Sequence, residues 1–320
     1  MGAAPRSPAR ARCHRSRLSP RCRRAPRRVT APLHWAVGDA TRIQWTRYRS
    51  AGTEVGTPDP ERWAPLGFPA PPPDRPWIFG VVVVSANGVV AWRRRDARDD
   101  PVREILGDET RLDRRADRRL MRYLRTIGDV GIGAQTVREQ PTLILSPQEP
   151  GDERAPELYA FRVARGLSHH PRNIIYSLYG RVPPQHPMLT TPGLSTIILT
   201  TPAGRAELAR RGIRDAAVIV EPLLEPGGLA RAHTRLRAEH GVRYIACEGG
   251  QTLFGALRAA RLLDEVFLTT TDVVVDRAAH EGVLTTFDFA AEGATLVAEG
   301  RLEPAGVYTF KRWRFGGTRR

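Results

Sequence analysis

Lysine is almost missing from this chain of 320 residues: Lys311 stands alone, so arginine carries the net charge of +16. A phosphate-binding loop of the form G-x-x-x-x-G-K-[ST] is thereby excluded, because its lysine must open a helix after a strand. Cysteine is scarce as well, at Cys13, Cys22 and Cys247. Two in the N-terminal tail and one at the end of an apolar run make neither a disulfide framework nor a zinc site, and they suit a reducing cytoplasm. No window approaches the roughly 18 consecutive apolar residues of a membrane span, so a soluble protein is expected. G-x-G-x-x-G is missing from the strand-to-helix turns and G-x-S-x-G from the whole chain, which removes the Rossmann and α/β-hydrolase readings. No histidine pair has metal-ligand spacing on a helix; His169-His170 precedes Pro171 and reads as surface loop, so no metal is expected.

Acids are absent from the first thirty residues, which hold ten arginines; the remaining chain carries about +6. Such a tail cannot bury a core, and it lacks the apolar stretch of a secretory signal. It reads as a transit peptide, an RNA-binding arm, or translated sequence upstream of the true start, and the last is favoured. Residues 1–50 are therefore expected to be a disordered Arg-rich extension, although Trp35 and Trp45 within 33–48 are candidates to pack on the folded part. Residues 51–74, with Pro69-Ala70-Pro71-Pro72-Pro73 near their end, read as a Pro/Gly-rich linker; 75–316 form the folded domain and 317–320 a tail.

Within that domain strands and helices alternate. Residues 78–84 are a continuous valine-rich run, the pattern of a strand covered on both faces, and Ser85-Ala86-Asn87-Gly88 turns it into 89–92. Residues 113–126 form a helix with Leu112, Ala116, Leu120, Tyr123 and Leu124 on one stripe and arginines opposite. Further strands are expected at 129–132, 173–177, 195–200, 217–220, 242–247 and 265–271, with helices at 202–211, 228–240 and 251–260. The fold class is α/β: a mixed, mostly parallel central sheet with helices on both faces. Residues 307–315 alternate without a preceding helix, as an antiparallel edge strand would.

Three strand ends carry glycine or threonine: Gly133-Ala134-Gln135-Thr136, Thr200-Thr201-Pro202-Ala203-Gly204-Arg205 and Glu248-Gly249-Gly250-Gln251-Thr252-Leu253. In an open α/β sheet ligands bind at the carboxyl ends of strands, and glycines there let backbone and helix N-termini approach an anion. Each turn alone is equally an ordinary connection: Thr200 or Thr201 suits a helix cap with Pro202 in the first turn, and Arg205 either reaches a phosphate or lies on a solvated face. Glu248 is the acid best placed for chemistry, as a partner for a substrate amine or hydroxyl or as a backbone cap.

In order, Asp129-x-x-x-Gly133-Ala134-x-Thr136-Val137-Arg138, Ile198-Leu199-Thr200-Thr201, Cys247-Glu248-Gly249-Gly250-x-x-Leu253 and Leu263-Asp264-Glu265-Val266, with a closing Trp313-Arg314-Phe315, resemble the reductase domain of riboflavin biosynthesis. That resemblance covers about 75–315 and implies a dihydrofolate-reductase-like fold. It further implies NADPH-dependent reduction of the ribose of 5-amino-6-(5-phosphoribosylamino)uracil, a small-molecule substrate, with relatives commonly dimeric. By similarity Gly133, Ala134, Thr136, Thr200, Thr201, Arg205, Gly249, Gly250, Thr252 and Leu253 would hold the cofactor. Glu248 and Asn87 would be catalytic, with Ser85, Gly88 and Glu248 facing the substrate. Hydride chemistry belongs to the nicotinamide, so the protein's task is orientation and no nucleophilic triad is required.

The chain departs from the family on the substrate side. Asn87 replaces an aspartate, Val81 a frequent lysine, Glu139-Gln140-Pro141 the usual Asp-Asp-Pro, and an arginine expected shortly afterwards is Ser146 or displaced. No zinc-deaminase motif precedes the domain. Two alternatives therefore stay open: a dihydrofolate-reductase-like oxidoreductase with a different heterocyclic or carbonyl substrate, and a basic nucleic-acid-binding protein working through its tail.

Overall fold

The computed structural model describes residues 42–48, 67–96, 99–147, 155–214, 216–303 and 306–316. Ten strands form one sheet: β1 (Arg42–Arg47), β2 (Trp77–Val84), β4 (Asp129–Gly133), β5 (Asn173–Ser177), β6 (Thr196–Thr200), β7 (Ala217–Val220), β8 (Tyr244–Cys247), β9 (Glu265–Thr270), β11 (Ala294–Glu303) and β12 (Thr309–Phe315). Their order is β1-β11-β12-β9-β2-β8-β4-β5-β6-β7. Every adjacent pair from β9 to β7 runs parallel, while β9, β12, β11 and β1 pair antiparallel. The short strands β3 (Val89–Ala91) and β10 (Leu284–Thr285) pair as a separate ribbon beyond the end of β2. The mixed, mostly parallel sheet is thus the expected one.

Helices join the parallel strands: α1 (Pro101–Ile105), α2 (Leu112–Leu124), α3 (Ala134–Glu139), α4 (Ala155–Ala164), α5 (Pro187–Thr190), α6 (Pro202–Arg210), α7 (Gly228–His240) and α8 (Gln251–Ala259). Leu120, Tyr123 and Leu124 of α2 lie with Phe79, Val130 and Phe267 in the core on one face. Leu236 of α7 and Phe254 and Leu257 of α8 lie with Ile78, Ile245 and Val266 on the other. The alternation of Ile78 and Phe79 between these cores shows a strand covered on both sides, as its unbroken apolar run requires. None of the helices among the described residues is long and apolar enough to cross a membrane.

The arginine face of α2 departs from expectation. Leu112 is exposed, whereas Arg114 is buried and donates to the Arg103 and Gly107 carbonyls, and Asp113 accepts from the Val307 and Tyr308 N–H groups. Two chain segments wrap the helix side that a simple amphipathic wheel gives to solvent. Helical periodicity reports the face on the sheet and is blind to loops arriving from far along the chain.

The C-terminal strand is antiparallel, as expected, but interior: β11 and β1 lie outside it. β1 falls inside the segment expected to be disordered. Ile43 is buried and Trp45 packs at 6.4 Å from Phe310, so this stretch of 33–48 does pack on the domain, while Trp35 lies outside the described residues. A side chain at Gly300 would meet Ile43 Cγ2 at 2.6 Å and Trp45 Cδ2 at 2.9 Å, so the glycine lets β1 lie across β11. Its strand-weakening effect also hides β11 from a sequence reading. Phe68, inside the expected linker, is fully buried against Phe79 at 5.0 Å, and Tyr244 Oη donates to the Pro69 carbonyl.

Buried ion pairs hold the parallel and antiparallel parts together. Glu265 on β9 accepts from Arg312 and Arg314 on β12, and the Arg312 guanidinium stacks 4.5 Å from the Phe68 ring. Arg75 donates both ways to Asp264, which also accepts from the Ile78 N–H. The Leu263-Asp264-Glu265-Val266 motif is therefore architectural here. Removing one partner of such a pair strands a buried charge, which costs about 3–5 kcal/mol.

In the second core His233 Nδ1 meets the Leu229 carbonyl at 2.7 Å and Nε2 meets Tyr176 Oη at 2.8 Å, so Nδ1 donates and Nε2 accepts in a neutral ring. Burial pushes its pKa down to about 4. The unfolded imidazole protonates below about 6.5 and the folded one only near 4, so stability is lost as pH falls through that window. Between pH 7 and 4 urea unfolding is expected to lose about 3 kcal/mol more in the wild type than in His233→Gln; equal losses would refute a neutral buried His233.

Candidate functional site

The parallel strands deliver their carboxyl ends to one edge of the sheet, and the chain reverses direction across it. From β4 it steps outward through β5 and β6 to β7, then returns to place β8 between β2 and β4. In open α/β sheets the strand ends at such a reversal are where ligands bind. Gly131 of β4 is level with Cys247 of β8, so the Gly133 and Gly249-Gly250 turns emerge side by side.

Gly133 and Gly250 are the N-cap residues of α3 and α8, and neither helix has a side-chain cap. Their backbones are ordinary for any residue: φ −78° and ψ 143° at Gly133, φ −65° and ψ 174° at Gly250. A Cβ at either would meet nothing within 4 Å. Glycine is required at these positions neither by dihedral angle nor by packing, and what it leaves is room above two helix starts that have no side-chain cap. Gly249 is different, since a Cβ there would lie 2.5 Å from Leu253 Cδ2. It lets α8 start tightly against its own first turn, and Leu253 belongs to that packing. Ala134 is buried beneath the turn, Thr136 is half-buried and Thr252 exposed.

The third expected turn lies at the end of β6, with β5 between it and β4. Thr200 is fully buried and donates to the Ser177 carbonyl; Thr201 donates to the Leu178 carbonyl and caps α6 by accepting from the Gly204 N–H at 3.1 Å. Both hydroxyls thus have internal partners, which is the plain capping reading. Gly204 and Gly180 touch: a Cβ at Gly180 would fall 2.1 Å from the Gly204 carbonyl oxygen, at φ +65°. That contact brings the loop after β5 against the start of α6, where Arg205 is exposed.

Glu248 holds the other flank. Its carboxylate accepts from Arg125 Nε at 2.7 Å and Nη2 at 2.6 Å, a bidentate pair whose side chains are 10% and 7% exposed. Arg125 Nη1 also donates to the Ser146 carbonyl at 2.9 Å. A guanidinium therefore does stand at Ser146, supplied by the end of α2. Beneath it Arg162, fully buried, donates to the Arg125 and Gly128 carbonyls, and burial pushes its pKa down to about 10. Glu139, in the place of the family's first aspartate after Thr136, lies 3.5 Å from Arg94. Sequence reasoning missed Arg125 because arginines crowd this helix and nothing local separates one bound to a distant carboxylate from the solvated rest.

The turn after β2 is self-contained. Ser85 Oγ donates to Asn87 Oδ1 at 2.7 Å and accepts from the Val89 N–H at 2.9 Å, while Gly88 supplies φ +83°. Asn87 Nδ2 donates to the Val275 carbonyl at 2.8 Å and Oδ1 accepts from the Val275 N–H at 3.2 Å. At Ser85 and Asn87, expected at the substrate and as catalytic, both side-chain oxygens and one amide hydrogen are engaged within the protein, and with Gly88 these residues clip the turn to the segment after β9. An aspartate could not donate to the Val275 carbonyl, which accounts physically for the asparagine. A second carboxyl that sequence reasoning passed over, Asp117 of α2, is half-buried, and burial raises its pKa to about 6.

The family profile of the RibD C-terminal domain matches residues 76–282. Among solved structures, the fold is similar to RibD of Acinetobacter baumannii, at 18% identity over 75% of this chain and a TM-score of 0.51; this chain spans 58% of that protein. It is similar also to a pyrimidine reductase-like protein from Corynebacterium diphtheriae, at 19% identity over 75% of this chain and 92% of the other, with a TM-score of 0.53. A search of curated protein sequences finds no match.

Asn87→Asp removes the donor to Val275 and faces its carbonyl with a carboxylate. A loss of about 1–3 kcal/mol is expected in thermal or urea unfolding at neutral pH; an unchanged midpoint would show that the clip contributes nothing.

Proposed function

Because the chain belongs to the family of RibD C-terminal reductase domains, we propose that it is an NADPH-dependent reductase acting on the ribose of 5-amino-6-(5-phosphoribosylamino)uracil. The observation that carries the cofactor half is the pair of glycines at adjoining strand ends, Gly133 and Gly250, whose backbones do not need glycine and whose Cβ positions are empty. A pyrophosphate suits that cradle: the opening N–H groups of α3 and α8 have no side-chain cap, and the dipole at such ends favours negative charge by about 0.3–1 kcal/mol. Thr136, Thr252 and Leu253 line the same two turns. Thr200 and Thr201 shape the neighbouring turn through backbone bonds, and Arg205 presents a cation there for a further phosphate.

NADPH, when bound, supplies the hydride. The protein's residues hold, orient and shield. The Arg125–Glu248 pair walls the crevice beside the first cradle, and Val81 and Val83 of β2 give it an apolar floor that keeps water from the reacting carbon. Orientation of this kind supplies about 7–11 kcal/mol of barrier reduction.

A second reading concerns the acceptor. With Val81 where the family often has lysine, the substrate flank lacks a cation to meet a phosphate, which favours a less anionic heterocycle or carbonyl compound.

NADPH oxidation by the purified protein, followed by absorbance with the phosphoribosylamino pyrimidine and a panel of neutral carbonyl and heterocyclic acceptors, separates the two. NADPH at 100 times its Kd is expected to stabilise the protein by about 2.7 kcal/mol. Gly250→Val should abolish that shift while leaving unliganded stability within about 1 kcal/mol, since the side chain enters open space. Retained NADPH affinity in Gly250→Val would refute the cradle, and no NADPH-dependent shift in the wild type would refute the reductase.

A further inference from the structure

The turn after β5 is held in place by its neighbours, and it presents an aromatic ring to solvent. Thr200 and Thr201, at the end of β6 and the cap of α6, donate to the Ser177 and Leu178 carbonyls at 2.6 and 2.7 Å. Gly180 follows at φ +65°, where a Cβ would strike the Gly204 carbonyl oxygen. Val182 is fully buried, and its N–H donates to the Gly180 carbonyl at 2.9 Å. Gly180 and Val182 are thus buried while Tyr179 and Arg181, on either side of the glycine, are exposed. Tyr179 is 61% exposed, with the Arg181 guanidinium over its ring at 5.7 Å from the centroid.

Two more arginines belong to the same corner. Arg138, in the last turn of α3, donates to the Arg181 carbonyl at 3.1 Å, and Arg205 directly follows Gly204. All three arginines are exposed, and among the described residues none has a carboxylate partner, whereas Arg210 and Arg211 farther along α6 share Glu207. Gly133 of β4 is level with Tyr176 of β5, so this corner lies one strand beyond the Gly133 turn, about 4.8 Å across the sheet.

Resting on the reductase reading above, we propose that this corner selects the cofactor: Tyr179 stacks on the adenine, and Arg181, with Arg138 and Arg205 beside it, binds the phosphate on the adenosine ribose, so that the chain takes NADPH in preference to NADH. The two dinucleotides differ only in that anionic group. Guanidinium groups meet phosphate oxygens through paired N–H donors, and here no ion pair has to break first. A tyrosine face accepts any purine, so Tyr179 adds affinity for both dinucleotides while the arginines separate them. The Thr200 and Thr201 hydroxyls are occupied by backbone and act from behind, since a turn already fixed loses little freedom when a ligand binds.

The test measures binding without turnover. Kd values for NADPH and NADH come from fluorescence titration in the absence of an acceptor, and adenosine 2′,5′-bisphosphate and 5′-AMP serve as probes that carry no nicotinamide. Wild type should bind NADPH at least about 10-fold more tightly than NADH, and the bisphosphate more tightly than 5′-AMP. The double variant Arg138→Gln with Arg181→Gln should weaken NADPH by about 10-fold to 150-fold and leave NADH within about twofold. Tyr179→Ala should weaken both dinucleotides by about 5-fold to 150-fold, and Tyr179→Phe neither. Added salt should narrow the wild-type preference, because exposed charge pairs are screened. Unliganded unfolding midpoints should stay in place, since every substituted side chain is exposed, and this separates lost binding from lost folding. Equal wild-type affinity for NADPH and NADH, or an unchanged ratio in the double variant, overturns this selectivity site and leaves the reductase reading standing. Wild type that binds neither dinucleotide overturns the reductase reading and this site with it.

Discussion

The bidentate pair between Arg125 and Glu248 is the constraint from which the rest of the site follows. It joins the end of α2 to the β8–α8 turn in a place where neither side chain is more than a tenth exposed, and the third nitrogen of the same guanidinium secures the segment at Ser146. A planar fork on a carboxylate fixes direction as well as distance, which a lysine could not do. That end of α2 is thereby pinned beside the end of β8. The support beneath is equally specific, since Arg162 holds the Arg125 and Gly128 carbonyls from within the core.

Glycines in this protein divide by what they make possible. Gly180, Gly204, Gly249 and Gly300 permit one part of the chain to touch another, and any side chain there would strike backbone or a packed neighbour. Gly133 and Gly250 permit nothing within the protein itself. Space above uncapped helix starts, left by residues whose dihedral angles are unexceptional, has its simplest use in a ligand. By contrast the threonines at the end of β6 turn their hydroxyls inward, so their contribution is to hold α6 and the loop after β5 in place.

Much of the parallel half was legible because its signals are local. The valine run of β2, the Pro202 start of α6 and the helical stripe of α2 each report a face against the sheet, and the structure keeps them within a residue or two. What escaped was non-local. β11, weakened by Gly300, and β1, inside an arginine-rich stretch, become strands through partners far away in sequence. The partner of the Asn87 side chain, Val275, lies beyond the reach of any local pattern. Arg125 and Asp117 were lost among similar charges on a helix whose outer face looked solvated.

By itself the sequence determined the α/β alternation, the carboxyl-end turns with their glycines, and the resemblance that points to a reductase, because hydrophobic period and turn chemistry act over a few residues. The tertiary structure alone decided which of those glycines leave open space, which polar side chains are consumed by backbone, and which carboxyl meets a guanidinium. Burial and partnership are properties of surroundings assembled from distant segments, and a charge or a glycine acquires its chemical meaning only when those surroundings close around it.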